Sequence, residues 1–211
     1  MRGSVALALA LVAGASAAGS WVAAAGLPDL GVVAAAEAGI VLERFALVPA
    51  IRSRVWATVV AVLLDTVDVV LVRPPAGLPA GHALRLAARA RERGAVLVAL
   101  GHGWGEPVDL RLALMASRWD GLGQGHGRLA ARRVQVEAGG RGAAVRERRA
   151  WLWLPGPRAA QGGPYAERLD APGPGPGLGV VRRDAARILF ELNLELEGAA
   201  APSATVLRLP G

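Results

Sequence analysis

The chain has 211 residues, 53% of them apolar, and a formal net charge of +7; all 24 of its basic residues are arginine. That length holds one domain with a tail, or at most two small domains, and the apolar share is ample for a core. The absence of cysteine excludes a disulfide framework and a thiolate metal site, and three scattered histidines argue against a histidine metal centre. An isoelectric point near 11.4 is compatible with a nucleic acid or an acidic protein partner and proves neither. The excess of Arg, Ala, Gly and Val fits a GC-rich genome rather than selected chemistry.

The first residues admit three readings. Met1-Arg2, an apolar run over residues 5–13 and Ala15-Ser16-Ala17 have the form of a secretory signal with a cleavage site. No charge falls between Arg2 and Asp29, so a membrane span is the second reading. The third is a buried helix over residues 4–18, because the run after Ala13 is rich in Gly, Ser and Ala, which gain little from leaving water. Gly19 then leads into a strand, Trp21-Val22-Ala23-Ala24-Ala25.

A loop, Gly26-Leu27-Pro28-Asp29-Leu30-Gly31, precedes a short helix over residues 32–38 closed by Gly39. Phe45-Ala46-Leu47-Val48 is a short strand ended by Pro49. Ser53 is placed to cap a helix with the apolar stripe Trp56, Val59, Val60, Leu63 and Leu64. Val67-Asp68-Val69-Val70-Leu71-Val72-Arg73 is the central strand, buried on both faces and stopped by Pro74-Pro75. Residues 81–93 form a second amphipathic helix, with Leu84, Leu86, Ala87 and Ala90 inward and Arg85, Arg89, Arg91 and Arg93 outward. Gly94 ends it, and residues 95–100 are another strand buried on both faces.

Up to residue 100 helices and apolar strands alternate as in a parallel, helix-covered sheet. Beyond a loop over residues 101–107 the pattern changes. Residues 110–119, 128–137 and 150–154 read as strands joined by glycine turns, an antiparallel meander on the sheet edge. Val134 and Val136 face one way, and Arg133, Gln135 and Glu137 the other. Trp151-Leu152-Trp153-Leu154 is apolar on both faces and is expected to be covered. The division is a core over residues 1–157, a Pro/Gly-rich linker over 158–179 and a tail over 180–211. Within the tail, residues 182–197 carry a stripe that reads equally as helix or strand.

Several blocks in this order carry a resemblance: Gly3-Ser4-Val5-Ala6-Leu7, Ala15-Ser16-Ala17-Ala18-Gly19-Ser20-Trp21 with Gly26-Leu27-Pro28, the central strand, and Arg89-Ala90-Arg91-Glu92-Arg93-Gly94-Ala95-Val96-Leu97-Val98. The most distinctive run from Trp119-Asp120-Gly121-Leu122-Gly123-Gln124-Gly125-His126-Gly127-Arg128 to Val134, and over Trp151-Leu152-Trp153-Leu154-Pro155-Gly156-Pro157. Together they resemble the RecA core, and more closely the shortened form of the ImuA-type accessory proteins of bacterial mutagenic repair. The resemblance covers residues 3–157; the tail from Arg158 has no counterpart. It implies a RecA-like, P-loop-type α/β fold without its N-terminal strand and P-loop. It also implies a cytoplasmic, non-catalytic scaffold in damage-induced error-prone translesion synthesis. The implied partners are an ImuB-like Y-family protein and an error-prone replicative-type polymerase, with no membrane; weak DNA contact is an open alternative raised by the arginines alone.

The residues at the expected nucleotide position support a silent site. A P-loop is Gly-x-x-x-x-Gly-Lys-Ser/Thr between a strand and a helix, because backbone N–H groups and the lysine hold phosphates. Here Gly3 stands as the second glycine, Ser4 replaces the lysine and Val5 replaces the magnesium-binding hydroxyl. Only Met1 and Arg2 precede them. Either the true start lies upstream or the sheet is incomplete; the first is favoured, because the residues after Gly3 presuppose a strand, and an open edge there would invite pairing with another chain. The central strand ends in Arg73, a cation where such ATPases place a magnesium-binding acid. Asp29 lies near where RecA-like ATPases carry a catalytic acid, although Pro28-Asp29 is also an ordinary turn. No enzyme activity, cofactor or metal is expected.

The glycine-rich stretch 121–127 has no Gly-x-Gly-x-x-Gly spacing and leads to a strand, so it reads as a hairpin rather than a dinucleotide loop. Arg128, Arg132, Arg133, Arg141, Arg146, Arg148 and Arg149 could form a basic face against a DNA backbone or a partner. Little aromatic interleaving is visible on these strands' polar faces, which argues against stacking on single-stranded bases. In the loop over residues 101–107 Trp104 is the only stacking candidate. Ile188, Leu189, Phe190 and Leu192 form a tethered apolar element suited to docking; it resembles the end of a sliding-clamp peptide without the leading glutamine. The alternatives are a RecA-like ATPase or recombinase, a RecA-fold division inhibitor, and a secreted or membrane-anchored protein.

Overall fold

Short apolar runs bounded by Gly and Pro have one stable use, as strands covered on both faces. The computed structural model of the chain, which describes residues 3–105, 108–122, 127–141, 144–154 and 206–209, shows four of them in parallel. They are β1 (Val22–Ala25), β2 (Phe45–Val48), β3 (Val69–Val72) and β4 (Val96–Leu100), in the spatial order β2-β1-β3-β4. All four residues of β1 and of β3 are buried. The Asp68 carboxylate accepts the Trp21 N–H at 2.9 Å, and the Trp21 carbonyl accepts the N–H groups of Asp68 and Val69 at 3.1 Å each. These contacts fix the register in which Val22 faces Val69.

Helices cover both faces of this half. Helix α1 (Gly3–Ala17) lies on one side with α2 (Val32–Glu37), and every residue from Leu7 to Val12 is buried there against Val22, Leu71, Val98 and Leu100. The first element is therefore a core helix, and no described helix is long and apolar enough to cross a membrane. Ser16, fully buried, ties α1 down by accepting the Val41 N–H through its hydroxyl at 3.0 Å. Helices α3 (Ser53–Thr66) and α4 (Ala80–Arg93) cover the other side, burying Trp56, Val60, Leu64, Ala83, Leu86, Ala87 and Ala90 over Val70, Val72, Leu97 and Ala99.

Two local expectations are corrected. Ser53 is the first helical residue and makes no cap; Arg52 holds the cap position without a side-chain hydrogen bond. Leu84 points outward, 51% exposed, because the inward stripe runs through 83, 86, 87 and 90, the true helical period.

The α3–α4 contact is clamped by charge. Asp65 accepts hydrogen bonds from Arg89 and from Arg93 Nε, the latter at 2.9 Å. The Arg89 hydrogen bond holds the Asp65 carboxyl below its ordinary pKa, opposed by burial and helped by the nearby Arg93 charge. A depressed folded-state pKa adds stability above the unfolded value and loses it as pH falls through the folded one. Asp65→Asn is therefore expected to lower the melting temperature near pH 7 and to flatten its decline toward about pH 2.5, below the ordinary carboxylate range. Thermal melts of both chains across that range check it.

The antiparallel half is a meander of β5 (Leu110–Leu122), β6 (Gly127–Gly140) and β7 (Arg148–Trp153). Leu110, Leu112, Val134, Val136, Ala138 and Leu154 continue the core beneath α1. The strands run further than their apolar residues suggest: Gly139 and Gly140, expected in a turn, pair with Arg111 and Leu110, and Gly121 falls within β5 at an irregularity of the ladder. A strand absent from the sequence expectation, β8 (Val206–Leu209), lies parallel between β4 and β5 and joins the two halves. Where an open edge was expected from a missing strand, the described sheet ends at β2 and β7. The linker over 158–179 and the segment 182–197 lie outside the described residues.

Candidate functional site

Parallel strands present their carboxyl ends together, and there the chain gathers several of the residues singled out from sequence. After β1 the backbone turns at Gly26, whose φ is +71°; a Cβ there would stand 3.2 Å from the Arg73 carbonyl oxygen and 3.5 Å from Trp56 Nε1. The turn brings Asp29 within 3.8 Å of the Arg73 guanidinium at the end of β3. Both side chains are well exposed, 88% and 41%, so the pair adds little stability. Beneath them the Trp56 indole N–H is buried without an acceptor among the described residues. Gly3 opens α1, which runs back against the strands and so starts toward this same edge; the side chain of Ser4 lies outside the described set.

The loop after β4 presses on the Pro74-Pro75 stop. A Cβ on Gly103 would meet Pro74 Cβ at 3.0 Å and the Pro74 and Pro75 carbonyl oxygens at 3.1 and 3.2 Å. Trp104 is thereby carried into the second core, 1% exposed. It is not available for stacking, which corrects the expectation for that loop.

The meander supplies the second constellation. Residues alternate in direction along a strand, so the arginines expected on one basic face divide between two. Arg132 shares the side of Val134 and stacks on Trp119, its cross-strand partner, with the guanidinium carbon 5.5 Å from the ring centroid. Arg133 takes the opposite side, as expected, 5.7 Å from the Trp151 ring and 5.4 Å from the Trp153 ring. Arg149 is on that same side but is bound to Glu137 at 2.7 Å. Arg146 is exposed before β7, and Arg148 is half-buried on the Ala138 side. Arg141 lines a shallow cleft of about 290 Å³ with Arg111, Glu137 and Glu147, whose mixed charges select no ligand. The Arg128 side chain, and Ile188, Leu189, Phe190 and Leu192, lie outside the described residues.

Two sequence readings of this region are corrected together. Trp151 is 47% exposed rather than covered, and Trp151 and Trp153 interleave with Arg133 on a polar face. Parity carried the signal: Leu152 and Leu154 alternate with the tryptophans, and only one pair can share the face of Val134.

Comparison with known proteins bears on the family. The model of the MT3502 N-terminal domain matches residues 1–106, the stretch that contains α1 to β4 and the Asp29–Arg73 pair. The chain belongs to that family. It is also 34% identical over 149 residues to the uncharacterized protein Rv3395c of Mycobacterium tuberculosis (strain ATCC 25618 / H37Rv), covering 67% of this chain and 72% of the relative. The matched family region ends just beyond β4, so the Arg–Trp constellation on the meander lies outside it.

Proposed function

We propose that the chain is a catalytically silent scaffold of the RecA fold, of the shortened ImuA type, acting in damage-induced error-prone translesion synthesis. The observation that carries the reading is the Asp29–Arg73 pair at the carboxyl edge of the parallel strands. A cation at the end of β3, with the nearest acid turned toward it, opposes a magnesium ion where a nucleotide-hydrolysing relative would hold one. At the start of α1, Ser4 stands where a phosphate cradle carries its lysine and Val5 where it carries its magnesium-binding hydroxyl. Alternating helices and parallel strands followed by an antiparallel meander support the fold side of the reading. On this view the surfaces do the work, in the cytoplasm, by holding an ImuB-like Y-family protein and an error-prone polymerase in one assembly.

The test is genetic and biochemical together. Deleting the gene in its own host should lower mutation frequency after ultraviolet damage, and the tagged chain should co-purify with the ImuB-like protein. Unchanged damage-induced mutation, or binding and hydrolysis of ATP by the full chain, would overturn the proposal. The second outcome would favour a RecA-like ATPase.

A further inference from the structure

Among the described residues, no helix covers the outer face of the meander. Helices α3 and α4 cover that side of the parallel strands, but their core cluster includes no residue of β5, β6 or β7. Pairing then writes two rows across the three strands on this face: Arg118, Arg133 and Trp153 in one, Ala116, Gln135 and Trp151 in the next. Neither row contains an acid, and the Glu137 carboxylate further along is already taken by Arg149. A β-bulge between Leu114 and Ala116 turns Met115 out beside the rows, 50% exposed.

We infer that this face is a binding platform for single-stranded nucleic acid. The Arg133 guanidinium within 6 Å of both rings holds two tryptophans in place before any ligand arrives. Two residues apart on β7, the rings are spaced by about 7 Å along the strand, so successive unstacked bases can each find an aromatic or guanidinium plane. Arg118 and Arg133 provide phosphate contacts beside them. A duplex keeps its base faces stacked inside and could use only the arginines. An acidic protein segment would likewise use the charges without needing the rings. The inference stands on the geometry of the face and not on the repair reading, which is tested separately by mutation frequency and co-purification.

The experiment is fluorescence anisotropy of a labelled twenty-nucleotide oligothymidylate with the full chain at several salt concentrations. A duplex of equal length and polyglutamate serve as competitors. Saturable binding that prefers the single strand is expected, quenching tryptophan emission and weakening with salt. Trp151→Ala should weaken it about tenfold, in the range measured for loss of one stacked base, and Trp151→Phe should keep most of it. Arg118→Glu, at an exposed position, should weaken it and reduce the salt dependence. Trp119→Ala, on the opposite face, should change nothing. Absence of saturable binding at low salt would overturn the inference. So would equal competition by polyglutamate with Trp151→Ala indistinguishable from the parent, which would give the face to an acidic protein partner. Melting curves of each variant separate lost binding from lost folding.

Discussion

A chain ended after Thr205 is expected to melt about 10 °C or more below the full chain. β8 is the only described strand that touches both halves of the sheet: residues 206–209 stand in register with residues 97–100 of β4, and Leu207 and Arg208 with Leu110 and Arg111 of β5. Without it these backbone groups lose their ladder partners, at about 1 kcal/mol net for each hydrogen bond. The sum, roughly 3–6 kcal/mol, is a large part of the ~5–15 kcal/mol that holds a domain folded. At about 2–4 °C per kcal/mol for a domain of this size, the loss is easily read by circular dichroism. The edge of β4 is otherwise wholly apolar and buried from Leu97 to Leu100, so the shortened chain should also associate with itself. A synthetic peptide spanning residues 203–211 should recover part of the melting temperature. A shortened chain that melts within a few degrees of the parent and stays monomeric would show that β8 contributes little.

That strand also marks the limit of what could be read in advance. The parallel half was legible because each strand is a short uninterrupted apolar run and α3 and α4 repeat their apolar residues with the helical period; β2 is found over the very residues its pattern picks out, Phe45–Val48. Val206–Leu209 has no such context: four residues, one of them arginine, near the end of a tail that follows a Pro/Gly-rich linker. Pairing from two sides, not intrinsic pattern, makes it a strand. Errors at tryptophans share one cause. A tryptophan in a glycine loop reads as exposed and one beside leucine reads as core, yet Trp104 is buried by the approach of Gly103 to Pro74 and Trp151 is outward by parity with Leu152. Of the candidate sites, Asp29 and Arg73 were each marked by lying just past an apolar strand, but their pairing needed the order of the parallel strands. The Arg133 platform needed the cross-strand register that puts Trp153 opposite it.

Gly140→Ala should cost about 3 kcal/mol, at the upper end of what overpacking does, and lower the melting temperature by roughly 6–12 °C. Exposure alone would suggest a tolerant site, since Gly140 is open to solvent. The backbone says otherwise. A Cβ at that position would lie 2.2 Å from the Asp109 carbonyl oxygen, 2.9 Å from its carbon and 3.0 Å from Leu110 Cα. All three are main-chain atoms, so no rotamer change relieves the overlap. Nor can the segment yield freely: the Asp109 side chain is held by Arg91 of α4 at 2.8 and 2.9 Å, and its carbonyl accepts the Arg141 N–H at 3.0 Å. The added methyl group would pry the end of β6 from the start of β5, where Leu110 pairs with Gly140 and is 1% exposed. Gly139→Ala is the matched control, because its Cβ would meet only Glu147 Cγ, at an ordinary 3.5 Å on a flexible side chain. Its cost should stay within about 0.5 kcal/mol. Urea unfolding of the two variants side by side makes the comparison, and equal midpoints would mean that the close approach of Gly140 to Asp109 is not a constraint of the folded chain.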